Sequence, residues 1–277
     1  TLEIAENFQG IRCECIRNAG PPGLFENFNR CLEFAKTTEY LQILHADDTI
    51  QPRFYETMAG HLADCSGIGM GWCLDERMDE RGQYLSRSGV EDGAIEILNR
   101  DTFLKRKAEL GNQAFCATLL KTNYQSAPCA FPLDYPIVGD LVFWAAFGVH
   151  CAKIIHLHQA LASYRWHGAN QTVARGPALQ ALIHDEWRAM QTIEALRGFP
   201  PWHRNLKLKG LMAVRSGIKA KRVRQGGNPQ YSAEITQAAR NITGWPLWLA
   251  GKTLVELRDL YLFKIRHRTR HPKNIYS

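Results

Sequence analysis

A short apolar run that ends in two adjacent aspartates, residues 40–48 with the sequence YLQILHADD, constrains the fold of this chain most. Its composition predicts a buried strand. Ligands of open α/β sheets bind at the carboxyl ends of the strands, so Asp47 and Asp48 are expected at a binding edge. Two carboxylates there suit Mg²⁺ or Mn²⁺, which also bind phosphates. Alternatively, Asp47 and Asp48 cap a helix that begins at Pro52.

The segments around this run predict a layered α/β domain. Apolar residues recur at helical spacing over 24–35, and a second amphipathic helix is expected after Pro52. Alternating or apolar stretches predict further strands, at 11–16, 67–74, 152–158 and 160–167. The alternation of strands and helices is that of an α/β layer.

Cysteine and histidine spacing argues against a zinc-binding or disulfide-stabilised domain. The eight cysteines include no CxxC pair, which predicts a reducing compartment and no disulfide framework. His150, His156 and His158 lie at strand spacing without an accompanying set of acidic ligands, so they are interpreted as core and surface positions. The longest apolar run, residues 141–149, is far shorter than the roughly 18 residues of a membrane span.

Charge divides the chain into two regions. Residues 1–175 carry 16 Lys and Arg against 21 Asp and Glu, a balance of −5, whereas residues 176–277 carry 18 against 6, or +12, and the two sum to the net +7. We therefore expect an α/β domain over 1–175 and a basic helical region over 176–277, in which helices are predicted at 178–196, 203–224, 231–241 and 245–271.

The last of these segments has the composition of a membrane-surface helix. Residues 244–271 combine tryptophans, leucines and a tyrosine with an end rich in Lys and Arg, which suits an anionic membrane surface. The alternative is a helix packed on the protein with a solvated basic face. No nucleic-acid recognition module is visible in the sequence, so nucleic acid is not an expected partner.

Four motifs in a fixed order carry a resemblance to a known family. They are RNAGPPGLFENFNRCLEFA, YLQILHADDTIQP, GDLVFW and YRWHGANQT, which begin at residues 17, 40, 139 and 164. This order resembles family 2 glycosyltransferases of the GT-A fold over about residues 1–175. The resemblance implies an α/β fold whose mixed sheet is flanked by helices, followed here by a helical C-terminal extension. The family's first strands have no counterpart before Thr1, so the domain is expected to be N-terminally incomplete.

The resemblance also assigns roles to the residues near the acidic pair. The family's acidic motif holds the divalent metal of a nucleotide-diphosphate sugar, which implies that Asp48 and Asp47 are ligands of Mn²⁺ or Mg²⁺. His45 stands where the family often has the first Asp; it is expected either to contact the donor or to pack inside the domain. The YRWH run matches a segment that closes over the diphosphate, which makes His167 a third metal or phosphate contact and Arg165 a phosphate partner. The alternatives are a structural role for His167 and an ion pair of Arg165 with a neighbouring carboxylate.

A second acidic motif implies the catalytic base. Gly139 and Asp140 precede a tryptophan-containing helix, where the family often has two acidic residues. In inverting members this motif supplies the general base, so the resemblance assigns that role to Asp140. The chemistry requires such a group, because an acceptor hydroxyl is a poor nucleophile until a carboxylate accepts its proton. The alternative for Asp140 is a helix cap.

The function implied by this resemblance is that of a hexosyltransferase-like enzyme. It would move a sugar, with inversion, from a nucleotide-diphosphate donor to a glycan or polyprenyl-linked acceptor in surface polysaccharide or glycolipid synthesis. We expect it in the cytoplasm or peripherally on the cytoplasmic face of a membrane. The departures at His45 and Gly139 leave an alternative, a non-catalytic nucleotide-binding or membrane-binding protein that retains the fold.

Overall fold

The computed structural model describes residues 7, 14–16, 23–167 and 179–270. They form two compact units: residues 108–110 group with 179–270, and the other described residues form the first unit. The predicted domain boundary after residue 175 lies outside the described residues and stays a prediction. Of the predicted strand at 11–16, only 14–16 are described, and they lie outside any strand.

The first unit is a mixed sheet flanked by helices, which confirms the predicted fold class. Its helices are α1 (Leu24–Leu32), α2 (Phe54–Leu62), α3 (Arg100–Ala108) and α4 (Gly139–Val149), and a 3-10 turn covers Glu33–Thr37. Its strands are β1 (Tyr40–Leu41), β2 (Thr49–Ile50), β3 (Gly69–Met78), β4 (Tyr84–Arg87), β5 (Ile95–Ile97), β6 (Thr118–Lys121) and β7 (Lys153–Arg165).

The sheet has the order β1-β6-β3-β7-β2, with β4 paired to β3 and β5 paired to β7. β3 and β7 run parallel at its centre, and every other pairing is antiparallel. The prediction of two short strands at 152–158 and 160–167 is wrong, because β7 is continuous. Its register against β3 jumps from Leu157 to Ala160 while β3 advances by one residue, so a bulge interrupts the sequence pattern without ending the strand.

Helix α2 forms where apolar spacing predicted it. Phe54, Met58 and Leu62 recur every four residues and are completely buried against residues of β3, β6 and β7. Burial of side chains of this size contributes roughly 1.5–3 kcal/mol each relative to exposure, so this face fixes the helix on the sheet.

The acidic run is a loop over most of its length, so the predicted buried strand at 40–48 is wrong in extent. Only Tyr40 and Leu41 pair, with β6, and both are half-buried. β1 and β2 lie at opposite ends of the strand order, so residues 42–48 must cross four strand spacings, roughly 19 Å in a flat sheet. An extended segment of this length covers about 25 Å, which suffices. The chain leaves β1 early because it has to make this crossing.

The second unit consists of helices, as the sequence predicts. They are α5 (Leu179–Leu196), α6 (Pro201–Gln225), α7 (Pro229–Thr243) and α8 (Trp245–Arg270). Their core contains the buried side chains of Ile183, Met190, Leu208, Met212 and Ile235. No helix within the described parts of the chain has both the length and the apolar composition needed to cross a membrane.

Helices α6 and α8 approach closely at Gly251. A Cβ atom there would lie 2.7 Å from the Cβ of Ala213 and 2.8 Å from its backbone carbon, closer than a side chain allows. Trp248, one turn earlier, is buried with Ala213 and Ala239. This side chain fills the core of the unit, so Trp248 is not part of the exposed apolar surface of residues 244–271.

Candidate active site

The acidic loop meets the end of β7. Thr49 pairs with Ser163, so Asp48 lies beside the last residues of that strand. The backbone N–H of Arg165 donates to Asp48 Oδ1 at 3.0 Å. Asp47 and Asp48 thus lie next to the carboxyl end of a central strand. They do not cap a helix, since α2 begins only at Phe54.

Four predicted site residues come together at this point. His45, Asp47 and Asp48 each offer a ligand atom, and these atoms lie within 4.8 Å of one another. A ring nitrogen of His167 lies 2.8 Å from Asp47 Oδ2. The structure therefore groups residues that are 122 positions apart at most, from the acidic loop and from the segment after β7. Their roles as ligands stay predictions.

The Arg165 side chain connects the acidic loop to the β3–β4 hairpin. Its Nε donates to the carbonyl of Asp47 at 2.9 Å, and its Nη1 donates to the carbonyls of Asp79 at 3.0 Å and Glu80 at 3.1 Å. These bonds hold two loops in one arrangement. The assignment of Arg165 as a phosphate partner stays a prediction.

An aromatic cluster packs against His45 of the acidic loop. The His45 ring stacks on Phe28 at 5.4 Å between centroids, with 12° between the planes, and lies 5.2 Å from Phe115. Further rings continue this cluster, namely those of Phe25, Phe131, Phe143 and Trp144. The stacking fixes the His45 ring relative to the two aspartates.

A buried carboxylate oxygen in this cluster favours a bound cation. Asp48 Oδ2 is inaccessible to solvent and has no hydrogen-bond partner among the described residues, and His45 Nδ1 lies 3.7 Å from it. Buried polar atoms are almost always paired, so this exception indicates a missing partner. Carboxylate oxygens are the donors preferred by Mg²⁺ and Mn²⁺, and the residues present fit such an ion.

The two carboxyl groups have opposite electrostatic surroundings. Burial raises the pKa of Asp48 and outweighs the lowering effect of the Arg165 hydrogen bond. Partial burial also works to raise the pKa of Asp47, but the hydrogen bond with His167 helps to hold that pKa below its ordinary value. Asp47 is thus readily ionised, whereas the charge on Asp48 costs free energy until a cation compensates it.

Asp140 occupies the first turn of α4, but it is not the N-cap. Val138 holds the cap position, and no side chain caps the helix. Asp140 Oδ2 accepts a hydrogen bond from Asn112 Nδ2 at 2.6 Å, and its Oδ1 accepts one from the N–H of Leu141 at 2.8 Å. Burial raises the pKa of Asp140, which makes its carboxylate a stronger base. Trp144 of the same helix lies 5.2 Å from Phe115, a ring that also contacts His45.

Gly139 is required by the packing of Phe25. A Cβ atom at residue 139 would lie 2.7–3.1 Å from three ring atoms of Phe25. A glutamate, which the family often has before the aspartate, cannot occupy this position unless the Phe25 ring moves. The departure at Gly139 therefore has a steric cause.

Sequence reasoning missed two residues near Asp140. Asn112 provides the hydrogen bond just described, and Lys107 is buried, with its Nζ donating to Gly111 O at 2.9 Å and to Gln113. Burial lowers the pKa of Lys107 to about 7, and Asp140 opposes this shift electrostatically. Residues 75–112 lack clear periodicity, so no sequence signal placed either side chain near the predicted base.

A second cluster lies on β5 and β7. Glu96, His156 and His158 offer ligand atoms within 4.8 Å of one another. The expectation that no acidic ligand accompanies the histidines is wrong for His156 and His158, because the β5–β7 pairing puts Glu96 opposite His156. The His156 ring stacks on Trp72 at 4.8 Å, and burial followed by the neighbouring His158 lowers the pKa of His156 to about 4.

Replacing Asp48 by Asn tests the burial of its charge. Without metal at pH 7, Asp48→Asn is expected to be more stable than the parent protein by roughly 1 kcal/mol in the free energy of unfolding, because the amide keeps an acceptor for Arg165 and carries no charge. The gain should be full above the raised pKa of Asp48 and should disappear as the pH falls through it. Thermal unfolding between pH 3 and 8 measures this.

The matched control is Asp64→Asn. The hydrogen bond and charge of Lys153 hold the pKa of Asp64 below its ordinary value, so its amide is not expected to stabilise the protein. An Asp48→Asn variant no more stable than the parent at pH 7 would contradict the buried charge.

Comparison with known proteins supports one family. Residues 1–123 match the family model described as Glycosyl transferase family 2. A comparison with curated proteins finds no match. The matched segment contains His45, Asp47 and Asp48, whereas Asp140, Arg165 and His167 lie beyond it. The match confirms the resemblance over residues 1–123, which contain the first two of the four motifs.

Proposed function

We propose that this chain, whose first 123 residues match the model of glycosyl transferase family 2, transfers a sugar from a nucleotide-diphosphate donor to a hydroxyl of a glycan or lipid-linked acceptor. The observation that carries this proposal is the cluster of His45, Asp47 and Asp48 at the carboxyl end of β7. It lies within the matched segment and contains a buried carboxylate oxygen without a hydrogen-bond partner among the described residues.

The cluster is suited to the leaving group of such a reaction. Asp48, Asp47 and His45, with His167 beside them, would hold Mn²⁺ or Mg²⁺, an ion that when bound neutralises the charge developing on a leaving diphosphate. His167 keeps the Asp47 carboxylate oriented, and the bonds of Arg165 fix the loop that carries both aspartates. The chain thus supplies a preformed anionic site that needs little rearrangement on binding.

Asp140 supplies the base in this proposal. The acceptor oxygen bonds to the anomeric carbon, the bond from that carbon to the diphosphate breaks, and the hydroxyl proton passes to the Asp140 carboxylate. A single displacement of this kind inverts the configuration at the anomeric carbon. The hydrogen bond from Asn112 orients the carboxylate, and the raised pKa increases its affinity for the proton.

Nucleotide titration tests the proposal against a protein that retains the fold without turnover. The purified chain is titrated calorimetrically with a panel of nucleoside diphosphates, with and without Mn²⁺. We expect one nucleotide to bind only with Mn²⁺. Asp48→Asn should weaken this binding by more than the roughly 10–100-fold that loss of an outer-shell partner costs, since it removes a charged ligand. Asp64→Asn, the matched control, should bind like the parent. Absence of metal-dependent binding over the whole panel would refute the transferase site.

The pH dependence of donor turnover tests Asp140. The activity measured is hydrolysis of the sugar donor, with water as the acceptor. Its kcat/KM should fall when the pH drops through the pKa of Asp140, because the base then takes up a proton. Asn112→Ala removes a bond that favours the ionised form, so this acid limb should move to higher pH. Asp140→Asn should lower kcat by about 10²–10⁴-fold while nucleotide binding persists.

The control for this experiment is Asn241→Ala, an exposed residue of the second unit. Its profile should equal that of the parent. An acid limb that stays in place in Asn112→Ala would show that another group limits the rate, and unchanged turnover in Asp140→Asn would leave only the binding function.

The exposed side of α8 supports a peripheral position on the cytoplasmic face of an anionic membrane, as proposed for 244–271. Leu254, Leu257 and Tyr261 are each more than half exposed and lie within 60° of one another around the helix. The surrounding region carries a balance of +12, and an apolar stripe in a basic region binds anionic lipid surfaces.

Vesicle co-sedimentation tests the membrane proposal. The parent should sediment with vesicles that contain anionic lipid, less so with neutral vesicles or at high salt. Changing Leu254, Leu257 and Tyr261 together to Ser should abolish sedimentation, whereas Leu85→Ser with Val90→Ser, exposed residues of the first unit, should not. Equal binding of both variants would contradict the proposal.

A further inference from the structure

We propose that Glu96, His156 and His158 form a separate binding site for Zn²⁺, independent of the proposed transferase function. Glu96 Oε2 lies 3.7 Å from His156 Nδ1 and 3.9 Å from His158 Nε2. In a four-coordinate zinc site with bonds of about 2.0–2.1 Å, neighbouring ligand atoms are about 3.3 Å apart. All three ligand atoms lie within 4.8 Å of one another, so side-chain shifts alone can complete this geometry and leave the fourth position to water.

The sheet itself brings the three ligands together. Antiparallel pairing of β5 and β7 puts Glu96 directly opposite His156. Residues 156 and 158 point to the same face of β7, because side chains alternate along a strand. The ligand positions therefore follow from the backbone pairing, and a bound ion would join the three-residue strand β5 to β7.

Asp92 orients one of the imidazoles. Its Oδ1 lies 3.2 Å from His158 Nδ1 and also accepts the N–H of Ala94 at 3.0 Å. Histidine ligands of metals usually donate their second ring N–H to a carboxylate in this way, which fixes the ring and its tautomer. With Nδ1 engaged by Asp92, His158 presents Nε2 to Glu96.

Arg106 pairs with Glu96 of this cluster but not with its histidines. It pairs with both carboxylate oxygens of Glu96, with Nη1 2.9 Å from Oε2, and its charge opposes a nearby cation. Each carboxylate oxygen has two lone pairs, however, so Oε2 can accept this bond and still bind a metal. The pair leaves His156 Nδ1 buried and without a hydrogen-bond partner in the described part of the chain. A cation at this point would satisfy that nitrogen.

This site is distinct from the acidic loop in place and in chemistry. His158 and Arg165 lie seven residues apart on one strand, or roughly 23 Å at 3.3 Å per residue. The cluster of Glu96, His156 and His158 has two imidazoles and one carboxylate, a typical zinc donor set, whereas the acidic loop adds a second carboxylate, a donor that suits Mn²⁺ and Mg²⁺.

The test compares Zn²⁺ stoichiometry and Co²⁺ absorption in the full chain. The parent should show visible Co²⁺ bands that Zn²⁺ abolishes, and Zn²⁺ should raise its melting temperature. His158→Gln should bind one Zn²⁺ fewer and lose the bands, and Asp92→Asn, which keeps all three ligands, should bind Zn²⁺ about 10–100-fold more weakly. His150→Gln, a histidine outside the cluster, and Asp48→Asn should both retain the bands.

His156 and His158 are both half-buried, but the His156 ring also stacks on Trp72, so replacing His158 is less disruptive. Metal-free thermal unfolding verifies that His158→Gln folds. The proposal is overturned if the parent shows no Co²⁺ bands, or if His158→Gln and Asp92→Asn bind Zn²⁺ with the stoichiometry and affinity of the parent. Should His158→Gln fail to fold, Asp92→Asn decides the outcome.

Discussion

The bonds between Arg165 and the acidic loop are the interaction on which the first unit's candidate site depends. Residues 42–48 have left the sheet, so no strand ladder fixes the two aspartates. The backbone of Arg165 holds the Asp48 carboxylate, and its guanidinium holds the carbonyl of Asp47 and two carbonyls of the hairpin. A central strand thus positions a loop through its last residue, which gives the loop the rigidity of the sheet.

The aromatic cluster relates the acidic loop to the predicted base. Phe28 and Phe115 contact His45, and Phe115 also contacts Trp144 of the helix that begins beside Asp140. Because a close-packed interior has few voids, a displacement of one ring is transmitted to the rings that it contacts. The carboxylates of the acidic loop and the carboxylate of Asp140 are distant in sequence, and one shared aromatic core therefore positions both. The packing of Phe25 against Gly139 shows how tightly this core determines the residue before the base.

Sequence patterns predicted the elements that bury one face and missed those defined by long-range pairing. The spacing of Phe54 and Leu62 predicts α2, because helical periodicity is a local property of the sequence. Glu96 comes opposite His156 only through the register of strands 60 residues apart, which no local pattern contains. Likewise, Asn112 reaches Asp140 through tertiary folding of a polar segment. The acidic pair was identified because a carboxylate doublet after an apolar run is itself local, whereas the crossing of the loop depends on strand order.

The bulge in β7 divides the pairing of this strand with β3 into two ladders of different register. Residues 153–157 pair in one register, and residues 162–165 pair in another. A bulge bends its strand and increases the local twist. The end of β7 that carries Arg165 therefore runs in a different direction from the end that carries His156, and the acidic loop follows this turned end.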